Sequence, residues 1–301
     1  MGLRNAVRKK VKVKALFEGV SGSGKTLSAL LMAYGLCEDW SKIALIDTER
    51  SGDLYANKKD PDQGIDIGTY KLYEFHNDRT LTDVDYTRAV KECVNAGMQV
   101  IIIDSITPHW EYLLQKHAAS ASTDRNSYTA WAKITPIHRE FIRIILETDV
   151  HVICTSRVKQ EYVLQPNDHG KMVPRKMGLK PVQRDGIEYE FTIVFSVDDA
   201  HLSTATKDRT SLFTDKEAFK ITTESGFRIR DWGNEEIFTD EYINSVVDEF
   251  NACETVKEWS VLKNQMYPHL FERIIPRINK KREEITDLYN KEKQLKQSNN
   301  N

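Results

Sequence analysis

GVSGSGKT, residues Gly19 to Thr26, satisfies G-x-x-x-x-G-K-[ST] at every required position. Its flanks agree with the motif. The preceding VKVKALFE reads as a β-strand and the following LSALLMAYGL as a buried helix, the setting in which such a loop works. A phosphate-binding loop turns backbone N–H groups inward, which needs a tight turn and a close approach that glycine permits at Gly22 and Gly24. The helix N-terminus beyond Gly24 adds partial positive charge where phosphates would sit. Gly19, Val20, Ser21, Gly22, Ser23, Gly24, Lys25, Thr26 and Leu27 are therefore the expected ATP-binding residues. Lys25 is expected to neutralise the β- and γ-phosphates, and the Thr26 hydroxyl to ligand Mg²⁺. The competing explanation, a chance glycine-rich turn, accounts for neither the eight-residue agreement nor the flanks.

Composition bounds what surrounds this loop. The 301 residues suit one large domain with a small appendage, and 40% hydrophobic with 29% charged residues describes a globular chain. A formal net charge of −2 excludes a generally basic nucleic-acid coat, so any polyanion contact must be local. Cys37, Cys93, Cys154 and Cys253 are scattered without a C-x-x-C or a histidine at ligand spacing, which fits a reducing, cytoplasmic setting. No apolar run approaches membrane-spanning length, and the basic N-terminus MGLRNAVRKKVKVK leads into no apolar signal core.

Along the chain, strand and helix signals alternate. A helix is expected from about Thr26 to Glu38, a short apolar β-type run in KIALIDTERS ending in acids, loop over 51–70, a strand in TYKLYEF and a helix in TDVDYTRAVKECVNAG capped by Thr82 or Asp83. The run Val100–Ile103, apolar on both faces and ending in Asp104, has the character of a central parallel strand. A helix begins near Pro108–Gln115. The stretch Ala118–Ser127 reads as mobile, Trp131–Leu146 as amphipathic helix and DVHVICTS as another buried strand. Residues 157–186, with three Pro and three Gly, read as a long loop. EYEFTIVFSVD, AHLSTATK and FKITT alternate as antiparallel strands do. Three helical patterns follow, near 239–252, 254–265 and 269–294. The expectation is a mainly parallel α/β core over 1–233 with antiparallel edge strands, then a helical module with a polar tail over 234–301.

Two acidic positions extend the chemistry. Asp104, ending an apolar strand, is placed to hold Mg²⁺ together with Thr26. Glu49, read as ending the preceding strand, is the favoured general base for the attacking water. Asp47 competes for that role, because an i, i+2 pair shares a face while the strand lasts.

In order and spacing, GVSGSGKT, IDTERS, IIIDSIT, TSRVKQEY, GIEYEF and KDRT resemble the RecA-like P-loop ATPases, and most closely the phage-encoded AAA-type members that accompany recombination genes. The likeness spans most of residues 12–233. It implies a polar sensor of the γ-phosphate at Ser156 and Arg157, although glutamine is common at the Arg157 position. It also implies that Lys207 and Arg209 reach a neighbouring subunit's nucleotide. Assembly into a ring or filament, a role in phage recombination or replication, and contact with single-strand-binding proteins follow as expectations of the same resemblance.

The segment Arg157–Arg184 carries seven Lys and Arg against two acids, and Tyr162 and His169 are available to stack on bases. Lys159, Lys171, Arg175, Lys176, Lys180 and Arg184 are thus the expected contacts to single-stranded DNA. Trp110 and Trp131 are read as core. Two rival functions remain at this level: a P-loop kinase of a small molecule, for which only Arg125 is available as a lid arginine, and a module that uses nucleotide binding only to control assembly.

Overall fold

The structure is a computed structural model and describes residues 10–60, 64–75, 80–124, 127–166, 172–234, 240–264, 266 and 268–298. The chain divides into two compact units, Val11–Asn234 and a smaller one built on Glu235–Asn301.

The larger unit runs β1 (Lys14–Gly19), α1 (Lys25–Cys37), β2 (Ile43–Asp47), a small hairpin of β3 (Lys59–Asp60) and β4 (Ile65–Asp66), then β5 (Lys71–Glu74), α2 (Asp83–Asn95) and β6 (Val100–Asp104). It continues with α3 (Thr107–Asp124), α4 (Ser127–Glu147), β7 (His151–Pro166), β8 (Met172–Pro181), β9 (Ile193–Val197), β10 (Ser203–Asp208) and α5 (Thr223–Asn234). The main sheet has the order β10-β9-β1-β7-β6-β2-β5, and β8 pairs with the outer part of β7. All pairings from β9 to β5 are parallel, whereas β10 on β9 and β8 on β7 are antiparallel. This is a mixed α/β fold with a mainly parallel sheet and antiparallel edges, consistent with a P-loop NTPase core.

The apolar strands follow from a sheet covered on both faces. Alternate residues of β1 divide between two cores: Ala15 and Phe17 pack with α1, whereas Leu16 packs with α2 and α4. Ile101 and Ile103 face the second core and Val100 and Ile102 the first, which is why no polar residue interrupts that run. Against the first core, α1 and α5 meet backbone to backbone. A Cβ added to Gly35 would lie 2.7 Å from Gly226 Cα, and one added to Gly226 would lie 2.2 Å from Met32 O. Thr82 caps α2 through a reciprocal capping box with Asp85.

Four local expectations need correction. Residues 157–186 are not a long loop, because β7 runs on to Pro166 and pairs with β8 as a two-stranded ribbon. Pro166, Pro174, Pro181 and Gly178 lie within the ribbon, where no helical or central-sheet pattern identifies them, and Gly178 sits beside a register shift. Ala118–Asp124 is not a mobile stretch but the end of α3, and α4 begins at Ser127; 125 and 126 lie outside the described residues. Alanine's helix propensity and the stacking of His117 and Trp110 on Trp131, at 4.1 and 5.9 Å, favour the extension. FKITT forms only a single bridge, Ser203 to Phe219. Helix α5 was masked in the sequence by Gly226 and Gly233, and it exists because Gly226 lets it approach α1.

In the smaller unit, α6 (Asp240–Ala252), α7 (Val256–Asn264) and α8 (Pro268–Ser298) surround Phe250, Trp259, Leu270 and Ile274. Among the described residues, no helix is long and apolar enough to cross a membrane.

Candidate active site

Parallel strands bring their carboxyl ends to one edge, and the expected site residues from β1, β2, β6 and β7 collect there. Register pairs Asp47 with Asp104 and Gly19 with Arg157, while β7 lies between β1 and β6. The Gly19–Thr26 loop leaves β1 with Gly22 and Gly24 at positive φ, 80° and 91°, a conformation that disfavours any Cβ. A Cβ on Gly19 would also lie 2.6 Å from Val197 O on the adjoining strand. Lys25 Nζ donates to Val20 O across the loop at 2.8 Å. Burial lowers the Lys25 pKa, opposed by the nearby Asp104 and Glu49 carboxylates.

The first turn of α1 reaches past β7 to β6. Thr26 Oγ1 donates to Asp104 Oδ2 at 2.6 Å, and Thr155 Oγ1 donates to Asp104 Oδ1. Asp104 is 3% exposed. Burial raises its pKa, against the two hydroxyl donors. Tyr55 ends the short 3₁₀ turn Gly52–Tyr55 close by, and burial, reinforced by Asp104, raises its pKa. The Thr26 and Asp104 oxygens are the hard ligands that Mg²⁺ takes. Among the described residues no group of three or more His, Cys, Asp or Glu is arranged to hold a metal. A Thr26–Asp104 site therefore fits an ion that completes its shell with phosphate and water.

Tertiary contacts separate the two competing acids. β2 ends at Asp47, whose Oδ1 accepts from Glu49 N at 2.9 Å and Oδ2 from Gly52 N at 2.7 Å. Asp47 is thereby committed to the turn that follows the strand. The Glu49 carboxylate takes no part in that turn and receives Ser105 Oγ at 2.7 Å, Arg157 Nε at 3.0 Å and a second donor from Arg157 Nη2. Burial works against the Glu49 charge, but the Arg157 and Ser105 hydrogen bonds outweigh it and hold its pKa low. Thr48 ties the ends of β2 and β6 together, with its N–H on Asp104 O and its hydroxyl receiving Ser105 N.

The other expected residues are dispersed. Ser156 faces Thr107, Oγ to Oγ 3.4 Å, so Thr155 rather than Ser156 meets Asp104. Strand alternation on β7 was the signal for Thr155, but only the β6 pairing reveals its partner. Lys207 on β10 donates to the carbonyls of Glu188 and Tyr189, both at 2.7 Å, and Arg209 Nη2 to Tyr189 O at 2.8 Å. Lys159 and Lys180 pair across the ribbon, which also carries Arg175 and Lys176. Lys180 is engaged by Asp185 at 2.9 Å and Glu161 at 3.5 Å. Arg184 lies beyond the ribbon and lines a cleft with His138 and Ile142 of α4. Lys171, His169 and Arg125 lie outside the described residues.

Residues 11–221 match the family model for an AAA domain. The chain belongs to the AAA domain family. No curated protein matches it. An AAA domain is a nucleotide-binding P-loop ATPase module, and in this AAA domain the P-loop and the acids of β2 and β6 occupy one edge of the sheet.

Glu18, the last side chain of β1 before the loop, is also perturbed. Its Oε1 is buried without a hydrogen-bond partner among the described residues, and burial, reinforced by Glu188, raises its pKa to about 7. A carboxyl with a raised folded pKa costs stability as pH climbs from about 4.5, its unfolded value, through about 7. Glu18→Gln is expected to leave stability little changed at pH 4.5 and to raise it at pH 8, by roughly 3 kcal/mol at most. Urea denaturation at the two pH values checks this, and an equal effect at both would remove the ionisation argument.

Proposed function

We propose that this AAA domain hydrolyses ATP with Mg²⁺, binds single-stranded DNA through the β7–β8 ribbon and assembles head to tail with trans-acting Lys207 and Arg209. The observation that carries the hydrolytic part is the convergence of Glu49, Ser105 and Arg157 beside the Thr26–Asp104 pair. Lys25 and the loop amides hold the phosphates, and Thr26 and Asp104 would hold Mg²⁺, which would supply positive charge against the phosphates during the reaction. Water attacks the γ-phosphorus in line, its proton passes to Glu49, and the bond to the ADP oxygen breaks. A carboxylate clamped by a guanidinium is a weak base, so turnover requires the Glu49–Arg157 pair to open.

The DNA part is supported by the ribbon's continuity with the site. β7 carries Thr155 and Arg157 at the sheet edge and Lys159 two residues further out, so one strand connects the proposed DNA contacts to the Glu49 clamp. A role in phage recombination or replication, with a single-strand-binding protein as partner, rests on the sequence resemblance. The direct test is ATP turnover with and without single-stranded DNA, where absence of stimulation together with absence of binding defeats the DNA reading.

Replacing Lys159, Arg175 and Lys176 together by Ala is expected to weaken binding about equally for any sequence. It should also flatten the log–log salt dependence by roughly 0.7 for each lost phosphate contact. Titrating labelled single-stranded DNA at several salt concentrations checks this. An unchanged slope and affinity would leave the ribbon as a solvated charged arm.

A further inference from the structure

The β9–β10 turn delivers a side chain to the phosphate loop. Because β9 pairs with β1 as far as Val197 opposite Gly19, the residues after Val197 emerge beside that loop. Asp198 builds the turn. Its Oδ1 accepts from Ala200 N at 3.0 Å and Leu202 N at 2.8 Å, while Asp198 N–H donates to Leu202 O and Asp198 O accepts from His201 N. The turn holds His201 at φ 64°, a left-handed conformation uncommon for a non-glycine residue. There His201 Nδ1 lies 3.1 Å from Ser23 O. A carbonyl only accepts, so Nδ1 carries the hydrogen. A Cβ on Gly24, whose φ of 91° already favours glycine, would crowd this contact at 3.3 Å from the same Nδ1.

The consequence follows from peptide geometry. The Ser23–Gly24 peptide is planar and trans, so its C=O and its N–H point in opposite directions. A donor that fixes the Ser23 carbonyl therefore fixes the direction of the Gly24 N–H, one of the amides a phosphate-binding loop offers to its ligand. Without that donor, glycine's conformational freedom allows this peptide to rotate away.

We propose that His201 is a positioning residue for nucleotide binding: it holds the Ser23 carbonyl and thereby aims the Gly24 N–H at the phosphates of a bound nucleoside di- or triphosphate. The proposal rests on the loop being the nucleotide site and extends it to a residue outside the motif.

The test compares three variants of the full chain by calorimetric titration with Mg·ATP and Mg·ADP, steady-state hydrolysis and thermal melting. His201→Gly accepts the left-handed backbone but lacks the donor. It is expected to weaken both nucleotides about fivefold, the equivalent of one net hydrogen bond, with KM rising alike and kcat nearly constant. His201→Asn tolerates the same backbone and places an amide nitrogen where Nδ1 lies, so it should bind like the native chain. His201→Gln sets its amide one methylene too far and should behave like the glycine variant. Native affinity in His201→Gly, or equal weakening in His201→Asn, would overturn the assignment. So would a kcat loss at constant KM, or affinity losses that simply follow falling melting temperatures. Lys25→Ala separates the two levels of inference. If that variant loses ATP while His201→Gly keeps it, only the His201 role fails; if Lys25→Ala binds ATP normally, the site itself is misassigned.

Discussion

Arg209→Ala is expected to lower ATP turnover of the assembled protein by roughly 10³-fold or more, the scale of an arginine finger. Nucleotide affinity of the isolated subunit is expected to stay within error, because Arg209 lies outside the P-loop and donates to the Tyr189 carbonyl. Leaving that carbonyl costs about 1 kcal/mol for a net hydrogen bond, whereas a 10³-fold rate effect corresponds to about 4 kcal/mol, so the resting contact does not prevent a finger role. The position suits it: Lys207 is on β10, the edge strand of the sheet, and Arg209 follows immediately after. Mixing Arg209→Ala with Lys25→Ala subunits provides the decisive measurement. A trans finger lets mixed interfaces pair an intact loop with an intact arginine and restores part of the turnover. Confirmed co-assembly without any recovery would refute action in trans.

Glu49→Gln is expected to retain ATP while losing about 10²- to 10⁴-fold in turnover, the usual contribution of a general base. Glutamine preserves an acceptor for Ser105 but neither takes the water's proton nor pairs its charge with Arg157. Asp47→Asn is expected to act differently. Both Asp47 oxygens accept backbone N–H groups, from Glu49 and Gly52, and an amide offers only one oxygen. Its loss should appear as lowered stability, by about 1–3 kcal/mol for one orphaned buried amide, and as a disordered approach to Glu49. Denaturation and single-turnover hydrolysis on both variants distinguish the two acids. A stable Asp47→Asn protein with blocked chemistry, beside an active Glu49→Gln protein, would reverse the assignment.

The contrast between these two acids shows how far local sequence carries. At i and i+2 they are equivalent while the strand lasts, and nothing in IDTERS states where it stops. The strand stops at Asp47, and the next turn then consumes that carboxylate. Thr155 is similar: TSR identifies a polar strand end, but its partner Asp104 lies 51 residues away and meets it only through sheet pairing. The β7–β8 ribbon was illegible because its strands lack the continuous apolar pattern of a buried sheet, and antiparallel hydrogen bonding supplies what side-chain periodicity does not.

What the sequence by itself determined is whatever contiguous residues encode. GVSGSGKT specifies a glycine turn, a lysine and a helix start within eight positions, and apolar runs such as Val100–Ile103 require a sheet covered on both faces. Tertiary structure alone decided which distant groups share the site. Thr155 meets Asp104, Arg157 clamps Glu49, and His201 touches Ser23 across 178 residues of chain. Strand order and register set those meetings, and both are properties of the packed sheet as a whole that no short segment carries.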